Sequence, residues 1–302
     1  MKKNILYIIL FALITSNSFA QDEKVAKEKD YPVSAVFESG YLIDAQTTVI
    51  PEVKTLEMAI QHKFGTMDKG VSNLWGIYGS ANIRLSLDYV AAKNFQIGAG
   101  ITKKNMMTDL NAKWTLLKQT RQNSIPVSVA LYGNVAFDGR NISDFGSGMI
   151  QQAWTGPVFH YRFPDRVSYF SQIIVSRKFC KEFSLQAAAS FTHYNAVENI
   201  YDHDKVGVHV SGRIKVSNQG SIIFNYDAPL KIKGISEQRE WTKPPKPSAA
   251  LGYEISTGSH AFQIYMASTQ SLLPQDNLMW NQNEMKTSGI AFGFVITRLW
   301  GF

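Results

Sequence analysis

Large apolar residues recur at every second position in twelve segments of this chain, from residue 55 to the last residue, Phe302. The clearest segment, 81–89, sets five apolar residues against four polar ones: Asn82, Arg84, Ser86 and Asp88. The last segment, 290–302, instead has large apolar residues on one face and small residues on the other. A period of two is that of a β-strand. The pattern therefore predicts about 12 strands, with apolar side chains outside in at least the last of them.

The connections between these segments alternate in length. Taken in order, the even-numbered connections are short and the odd-numbered ones are long, with 103–107 as the exception. An up-and-down bacterial outer-membrane barrel with both chain ends in the periplasm has this asymmetry, because its periplasmic turns are tight and its outer loops are longer. A soluble sandwich gives no reason for such segregation. We therefore predict an all-β fold, a transmembrane up-and-down antiparallel β-barrel of about 12 strands over residues 55–302.

The start of the chain indicates export. Lys2 and Lys3 precede the apolar run 5–14, and Ser18-Phe19-Ala20 supplies small residues for cleavage, so residues 1–20 are predicted to be a secretory signal peptide. The apolar stretch is too short for a transmembrane helix. Residues 21–54 begin polar and then become mixed, which predicts a flexible periplasmic leader ending in a segment near the barrel mouth. The expected location is the outer membrane.

Charge and cysteine content limit the expected partners and the expected cross-links of the chain. Without residues 1–20 the chain has 29 basic and 24 acidic residues and lacks a run of five like charges, so no nucleic-acid partner is predicted. Cys180 is the only cysteine, which excludes an internal disulfide. The expected partners are outer-membrane lipid and the barrel assembly machinery, because the terminal Phe302 resembles the signal that this machinery reads.

Charged residues of both signs are expected on the inner face of the strands. The main lumen candidates are Arg84, Asp88, Lys113, His209, Arg213 and Glu254. Paired charges of this kind would suit a filled lumen as well as a narrow pore, since the interior of a small barrel can be packed by side chains. For each single residue a structural salt-bridge network and a solute-binding role are both open, and the network is the simpler interpretation.

Four tryptophans fall in four different long connections, one in each. They are Trp75, Trp154, Trp241 and Trp280. In a barrel they would surround the outer mouth. Their rings could stack on sugars, apolar ligands or a partner protein, or could pack the loops on each other as a lid, which we favour.

The sequence offers one candidate site for metal binding and one for catalysis, and neither matches a known motif. The connection 193–204 holds two histidines and three acidic residues, but their spacing matches no tight ligand signature, so a solvated loop is expected. His62, on the apolar face of the first strand, is the nearest candidate for a hydrolase at the barrel rim, yet no G-x-S-x-G motif accompanies it. We predict no metal, no cofactor and no enzymatic activity.

Several segments resemble one family. They are His62-Lys63-Phe64-Gly65, the strand 81–89, the run 257–263 with Thr257-Gly258-Ser259-His260, and Ile290-Ala291-Phe292-Gly293-Phe294. Together they look like an uncharacterised Gram-negative outer-membrane β-barrel family, a domain of unknown function, over residues 40–302. Lys63 and Ser259 depart from its commoner H-R-F-G and T-G-G-H patterns. The resemblance implies an envelope location and a barrel, and it assigns no catalytic residue.

Three functions remain open on this basis. The first is a narrow or gated channel that transports small solutes through the charged lumen. The second is an anchoring or assembly partner that binds an envelope protein through residues 21–54 or the outer loops. The third and weakest is a rim hydrolase that uses His62.

Overall fold

The computed structural model describes residues 30–141, 144, 149–151, 162–198, 201–234 and 244–302. The predicted signal peptide 1–20 and the first part of the predicted leader, 21–29, lie outside these residues. The elements in chain order are β1 Tyr41–Leu42, β2 Ala45–Gln46, β3 Thr55–Thr66, β4 Asn82–Ala92, β5 Phe95–Thr102, β6 Met107–Leu117, β7 Ser128–Phe137, β8 Met149–Gln151, β9 Val167–Lys178, β10 Phe183–Tyr194, β11 Ala196–Glu198, β12 Asp204–Lys215, β13 Gly220–Leu230, β14 Ser248–Ser256, β15 His260–Ala267, α1 Pro274–Trp280 and β16 Ala291–Gly301. Short 3-10 helices span Met67–Asn73, Lys104–Met106, Phe163–Arg166 and Thr287–Gly289.

Twelve of these strands form one closed antiparallel barrel, which confirms the predicted fold class and strand number. The barrel consists of β3–β7, β9, β10 and β12–β16, and it closes where β16 pairs with β3. The remaining strands form two small pairs, β1 with β2 and β8 with β11. Closure matters because a barrel satisfies its backbone hydrogen bonds from strand to strand and leaves no edge, as lipid requires.

The two faces of each strand differ as the alternation predicted. Outward residues are large, apolar and exposed; Leu85, Ile101 and Ile264, for example, are 44%, 59% and 69% exposed. Most inward residues are polar or small and buried, and the buried exceptions include Tyr132, Phe170, Ile174, Ile223 and Tyr265. An apolar exterior of this kind is suited to acyl chains. Among the described residues, no helix has the length and apolar character needed to cross a membrane.

Most tight turns and the longest connections lie at opposite ends of the barrel, with the short outer connection 103–106 and the ten-residue periplasmic connection 118–127 as exceptions. Both chain ends of the barrel, Thr55 and Gly301, pair at one end, which we name the periplasmic mouth. The two-residue turn between β4 and β5 lies there, and its Asn94 has φ of 63°, a conformation that asparagine tolerates better than most residues. The other end is the outer mouth, where the strands that flank the long connections 67–81, 138–166, 231–247 and 268–290 end and begin.

Residues 31–54 differ from the expected leader. Their central strands β1 and β2 form a hairpin whose turn is Ile43-Asp44, and this hairpin lies inside the barrel. Phe37, Leu42 and Ile43 are almost fully buried there. We name residues 31–54 the N-terminal hairpin. The prediction of a segment near the mouth was wrong for this part, because apolar residues without periodicity do not show which surface they will contact.

Candidate functional site: the filled lumen

The wall of the lumen carries a buried ion pair on β4 and β6. The Arg84 guanidinium donates to both carboxylate oxygens of Asp109, at 3.0 Å and 2.7 Å, and to Gln61 Oε1 at 3.0 Å. Asn134 Nδ2 donates a further hydrogen bond to Asp109 at 2.9 Å. Gly100 lies beside this pair, and a Cβ there would come within 2.6 Å of Arg84 Nη2. The pair is therefore bidentate, and the absence of a side chain at position 100 makes room for it.

A second group of wall residues holds the N-terminal hairpin. Gly40 N donates to Glu57 Oε1 at 3.0 Å, and Lys113 Nζ donates to the carbonyl oxygen of Gly40 at 3.4 Å. The Tyr41 hydroxyl donates to Asp88 Oδ2 at 2.8 Å. Asp88 and Lys113, both predicted to face the lumen, thus meet a segment that was expected outside it. Their polar side chains bind the backbone and the phenol of the hairpin.

A third group lies on β12 and β14. Arg213 forms an ion pair with Glu38 of the hairpin, and its Nε lies 3.4 Å from Glu254 Oε1. Arg213 Nε also donates to Ser221 Oγ at 2.9 Å, while Gln263 Nε2 donates to Glu254 Oε2 at 2.9 Å. Arg213 and Glu254 are therefore inward residues, as expected, and each has hydrogen-bond partners.

Apolar packing supplements these polar contacts. Val36, Phe37, Tyr41, Leu42 and Ile43 of the hairpin are buried in one cluster with wall residues. The wall members are Ala59, Ile223, Ala250, Tyr265, Ala267 and Val295. Burying a side chain such as that of Leu or Phe stabilises a packed state by roughly 1.5–3 kcal/mol. The hairpin is therefore attached both by apolar packing and by charges and hydrogen bonds.

A second segment fills the lumen from the outer mouth. We name residues 268–290 the outer loop; its helix α1 has buried residues from Gln275 to Met279. Leu278 packs with Tyr132, Phe170 and Ile174 of the wall, and Gln275 Nε2 donates to Asn134 Oδ1 at 2.8 Å. The outer loop is therefore packed into the barrel in the described structure.

Lys63 joins the two segments. Its ammonium group pairs with Asp44 at the tip of the hairpin and also donates to the carbonyl oxygen of Ser271, in the outer loop, at 2.8 Å. A cavity of about 20 Å³ remains where the hairpin and the outer loop meet, and Tyr41, Asp44, Ser271 and Asn277 are among its lining residues. A cavity of this size is enough for roughly one water molecule. Lys63 therefore contacts both the hairpin and the outer loop directly.

His209, the remaining lumen candidate, belongs to a hydrogen-bonded chain. Its Nε2 lies 2.7 Å from Ser190 Oγ on β10, and its Nδ1 lies 2.7 Å from Asp227 Oδ1 on β13. Sequence reasoning did not select Ser190 or Asp227. The turn between β12 and β13 could have placed Asp227 opposite His209, but the longer connection before β12 conceals the register of Ser190.

The structure describes two of the four tryptophans that were predicted to surround the outer mouth. Trp154 and Trp241 lie outside the described residues. Trp75 is exposed in the connection 67–81. Trp280, at the end of α1, packs edge-on against Tyr194 and Tyr201, with ring centroids 5.2 Å and 4.8 Å away. The contacts of Trp280 are those of a ring that packs the loop against the barrel rim.

Two other histidine sites were considered from the sequence. His193 Nδ1 lies 2.6 Å from Asp204 Oδ1, and within the described part of the chain no three His, Cys, Asp or Glu side chains form a metal-binding group. His62, the candidate for a rim hydrolase, stacks on Phe294 with centroids 4.9 Å apart and also contacts Phe64. His62 is therefore surrounded by outward aromatic rings.

Residues 37–300 match the family described as "Membrane bound beta barrel domain (DUF5777)". The chain belongs to this family, which confirms the resemblance seen in its motifs. The protein is a membrane-bound β-barrel of the outer membrane. Among curated proteins, none matches the sequence.

Solved structures with a similar course of the chain include outer-membrane channels. The COG4313 outer membrane channel from Pseudomonas putida F1 is 9% identical, with a TM-score of 0.48, covering 83% of this chain and 97% of that chain. The NanC porin is 6% identical, with a TM-score of 0.47, covering 82% and 99%. The KdgM porin in complex with disordered oligogalacturonate is 7% identical, with a TM-score of 0.42, covering 82% and 99%. Likeness at this level carries no argument about solutes.

Proposed function

We propose that this outer-membrane barrel is a channel for small solutes with two movable closures in series, the N-terminal hairpin and the outer loop. When both closures leave the lumen, a path lined by charged and polar side chains connects the two mouths. The mixed charges of that wall suit small hydrophilic solutes. The barrel ladder itself does not change.

The observation that carries this proposal is how the hairpin is attached. Its two short strands pair only with each other, and they contribute nothing to the closed ladder of the barrel. Every hydrogen bond described between residues 34–51 and the barrel strands uses a barrel side chain, as in the bonds of Gly40 with Glu57 and of Ile43 with Gln263. Residues 34–51 of the hairpin can therefore leave without breaking a backbone hydrogen bond to the barrel strands.

The entry and exit of the hairpin support the same proposal. It enters and leaves by the periplasmic mouth, where Val33 N donates to the carbonyl oxygen of Gln119 and Lys54 N to that of Val90. A segment that enters and returns through one mouth can be withdrawn without threading. The outer loop likewise starts at the end of β15 and returns to the start of β16 at the outer mouth. Each closure can therefore move towards its own side of the membrane.

Single-channel conductance in a lipid bilayer tests the proposal on the full chain. Leu42→Asp places a charge in the apolar contact of the hairpin, and Leu278→Asp does the same for the outer loop. Because the closures are in series, we expect either single variant to conduct little and the double variant to give steady current steps. A folded double variant without current would contradict the channel. Leu116→Asn, on the exposed outer face, is the control for a substitution that leaves both closures in place.

A reversible lock sharpens the test. Thr48 and Ser176 have hydroxyl groups in hydrogen-bond contact between the hairpin and β9. Replacing both by cysteine, in a Cys180→Ser background, offers a disulfide that fixes the hairpin inside the barrel. Added to the conducting double variant, the oxidised lock should stop the current, and reduction should restore it. Current that is unchanged by oxidation, with the disulfide verified by mass, would contradict the role of the hairpin as a closure.

An anchoring or assembly role is the second candidate, and the filled lumen favours it. A barrel with no open path can still hold a partner through its periplasmic or outer surfaces. Cross-linking in cells from photoreactive groups at Tyr31 and Trp75, both exposed, would capture such a partner. A specific cross-linked envelope protein, together with a silent double variant in the bilayer, would favour this role over the channel.

A further inference from the structure

Ser190, His209 and Asp227 lie on three neighbouring strands in the arrangement of a nucleophile, a base and an orienting carboxylate. His209 is directly opposite Asp227 in the register of β12 and β13, and Ser190 is diagonal to it on β10. The serine oxygen lies 2.7 Å from Nε2, and the carboxylate oxygen lies 2.7 Å from Nδ1. With the proton on Nδ1, the imidazole donates to Asp227 and accepts the hydroxyl proton of Ser190. Each nitrogen therefore has the partner that a serine nucleophile requires.

The carboxylate is itself held in place. Asp227 Oδ2 accepts hydrogen bonds from Asn225 Nδ2 at 3.0 Å, Ser248 Oγ at 3.2 Å and Asn277 Nδ2 at 2.9 Å. The His209 ring contacts the edge of the Phe170 ring, with centroids 6.4 Å apart. Two of the three donors to Asp227 belong to the barrel wall, so the orientation of the carboxylate does not depend on the outer loop alone.

A recess beside Ser190 is occupied by the outer loop. Gly207 is directly opposite Ser190, and a Cβ at position 207 would lie 2.8 Å from Ser190 Oγ and 2.7 Å from Leu278 Cδ1. The end of the Leu278 side chain and the serine hydroxyl therefore both lie against Gly207. The surroundings of Leu278, namely Tyr132, Phe170 and the partly buried Ala188, are apolar. The four-carbon side chain of Leu278 fills this space, and its withdrawal would leave a recess of that size.

We propose that Ser190 is a latent nucleophile for short-chain carboxylic esters, with His209 as its general base and Asp227 as the residue that positions the histidine. Leu278 occupies the place of the acyl chain and keeps the site closed. Withdrawal of α1 towards the outer mouth exposes the hydroxyl and the recess together. The sequence alone predicted no enzymatic activity, because His62 is the nearest catalytic candidate in it and no local motif of a serine hydrolase accompanies that histidine.

The chemistry consists of two balanced steps. Ser190 Oγ bonds to the carbonyl carbon of the ester while its proton passes to His209 Nε2. The bond from this carbon to the alcohol oxygen breaks, and the alcohol leaves with the proton from His209. Water then bonds to the acyl carbon and gives a proton to the same nitrogen. The bond to Ser190 breaks, Ser190 recovers its proton, and the carboxylic acid leaves.

Covalent labelling by a fluorophosphonate tests the proposal without a known substrate. Ser190 Oγ would bond to phosphorus and displace fluoride, and peptide mass spectrometry would locate the adduct. We expect labelling of the folded full-length Leu278→Ala variant at Ser190, faster than that of the native protein. In that background, Ser190→Ala should abolish the adduct, and Asp227→Asn should slow labelling by about 10²- to 10⁴-fold.

Ser211→Ala is the matched control, because Ser211 is an inward, buried serine on the same strand as His209 whose hydroxyl has no described hydrogen bond. It should leave labelling unchanged. Hydrolysis of p-nitrophenyl butyrate by Leu278→Ala, lost with Ser190→Ala, would support the short acyl chain. The milder Leu278→Val serves if Leu278→Ala does not fold. A folded variant of either kind with no adduct at Ser190, or one labelled equally fast with Asp227→Asn, would overturn the proposal. Conductance plays no part in this outcome.

Discussion

Removing the charge of Lys63 should release the N-terminal hairpin. The Lys63 side chain has 0% exposure, and it pairs with Asp44 at the hairpin tip. In Lys63→Met the side chain at position 63 keeps most of its length, but Asp44 stays in the lumen without its counter-charge. The other oxygen of this carboxylate, Oδ1, already has no hydrogen-bond partner among the described residues. Breaking a buried pair by removing one member costs about 3–5 kcal/mol.

This cost applies only while the hairpin is inside the barrel, because a withdrawn hairpin lets water solvate Asp44. The population with the hairpin withdrawn should therefore rise by about 10²- to 10⁴-fold, at a factor of ten for each 1.4 kcal/mol. The outer loop should loosen as well, since Lys63 also holds the carbonyl oxygen of Ser271.

Limited digestion with chymotrypsin measures this population. Phe37 and Tyr41 are 1% and 2% exposed inside the barrel, so cleavage after them requires the hairpin to leave. When opening and closing are fast relative to cleavage, the rate follows the open population. Peptide mass spectrometry separates these cuts from those at the exposed Tyr31 and Tyr78. We expect Lys63→Met to raise the rate after Phe37 and Tyr41 by the factor given above.

Two further variants test the physical reason. Lys93→Met, at an exposed position in a periplasmic turn, should leave the cleavage rate unchanged. Lys63→Met combined with Asp44→Leu removes both charges, and this double variant should be cleaved much more slowly than Lys63→Met alone. Cleavage of Lys63→Met at the native rate, or of the double variant as fast as the single one, would refute the role of the pair.

Two more predictions follow from the same structure. Gly100→Ala should lower the midpoint of denaturant unfolding in detergent, because its Cβ would lie 2.6 Å from Arg84 Nη2 and displace the Arg84–Asp109 pair. Gly301→Ala has open space around its Cβ and should leave this midpoint unchanged. Glu284 accepts hydrogen bonds from Lys246 and Lys286, which lowers its pKa to about 2 from 4.5. The stabilisation that the ionised Glu284 gives to the contact of the outer loop with Lys246 is therefore present above pH 4.5 and is lost as pH falls through about 2. A carboxyl NMR titration with a midpoint near 4.5 would contradict it.

The sequence was sufficient for the barrel wall because one physical rule determines it. Alternation decides which side chains face lipid, and Arg84, Asp88 and Lys113 are inward as a result. The short turn between β12 and β13 could also have paired His209 with Asp227, because antiparallel register follows from the turn. The inward residues of β16 were visible as well, although not that Val295 would be buried in one cluster with Val36 and Phe37 of the hairpin.

The contents of the lumen were beyond such rules. Residues 31–54 have no clear period, and Leu42 or Ile43 could be buried in many environments. Leu278 and Asn277 lie in a long connection, where sequence spacing does not tell how deeply a loop enters the barrel. Register across the connection from Tyr194 to Asp204 is equally open, so the contact of Ser190 with His209 required coordinates.

Strand number explains why the lumen has separate fillings at all. An eight-stranded barrel is just narrow enough to be filled by its own side chains, and diameter grows with strand number. Twelve strands therefore leave space around the axis, which here the hairpin and the outer loop occupy. Because the closed ladder already uses the backbone groups of the wall, side chains and apolar packing must hold these segments. Filling and folding are thus separable: Leu42→Asp with Leu278→Asp should empty the lumen, while the far-ultraviolet circular dichroism of the barrel strands stays that of the native protein.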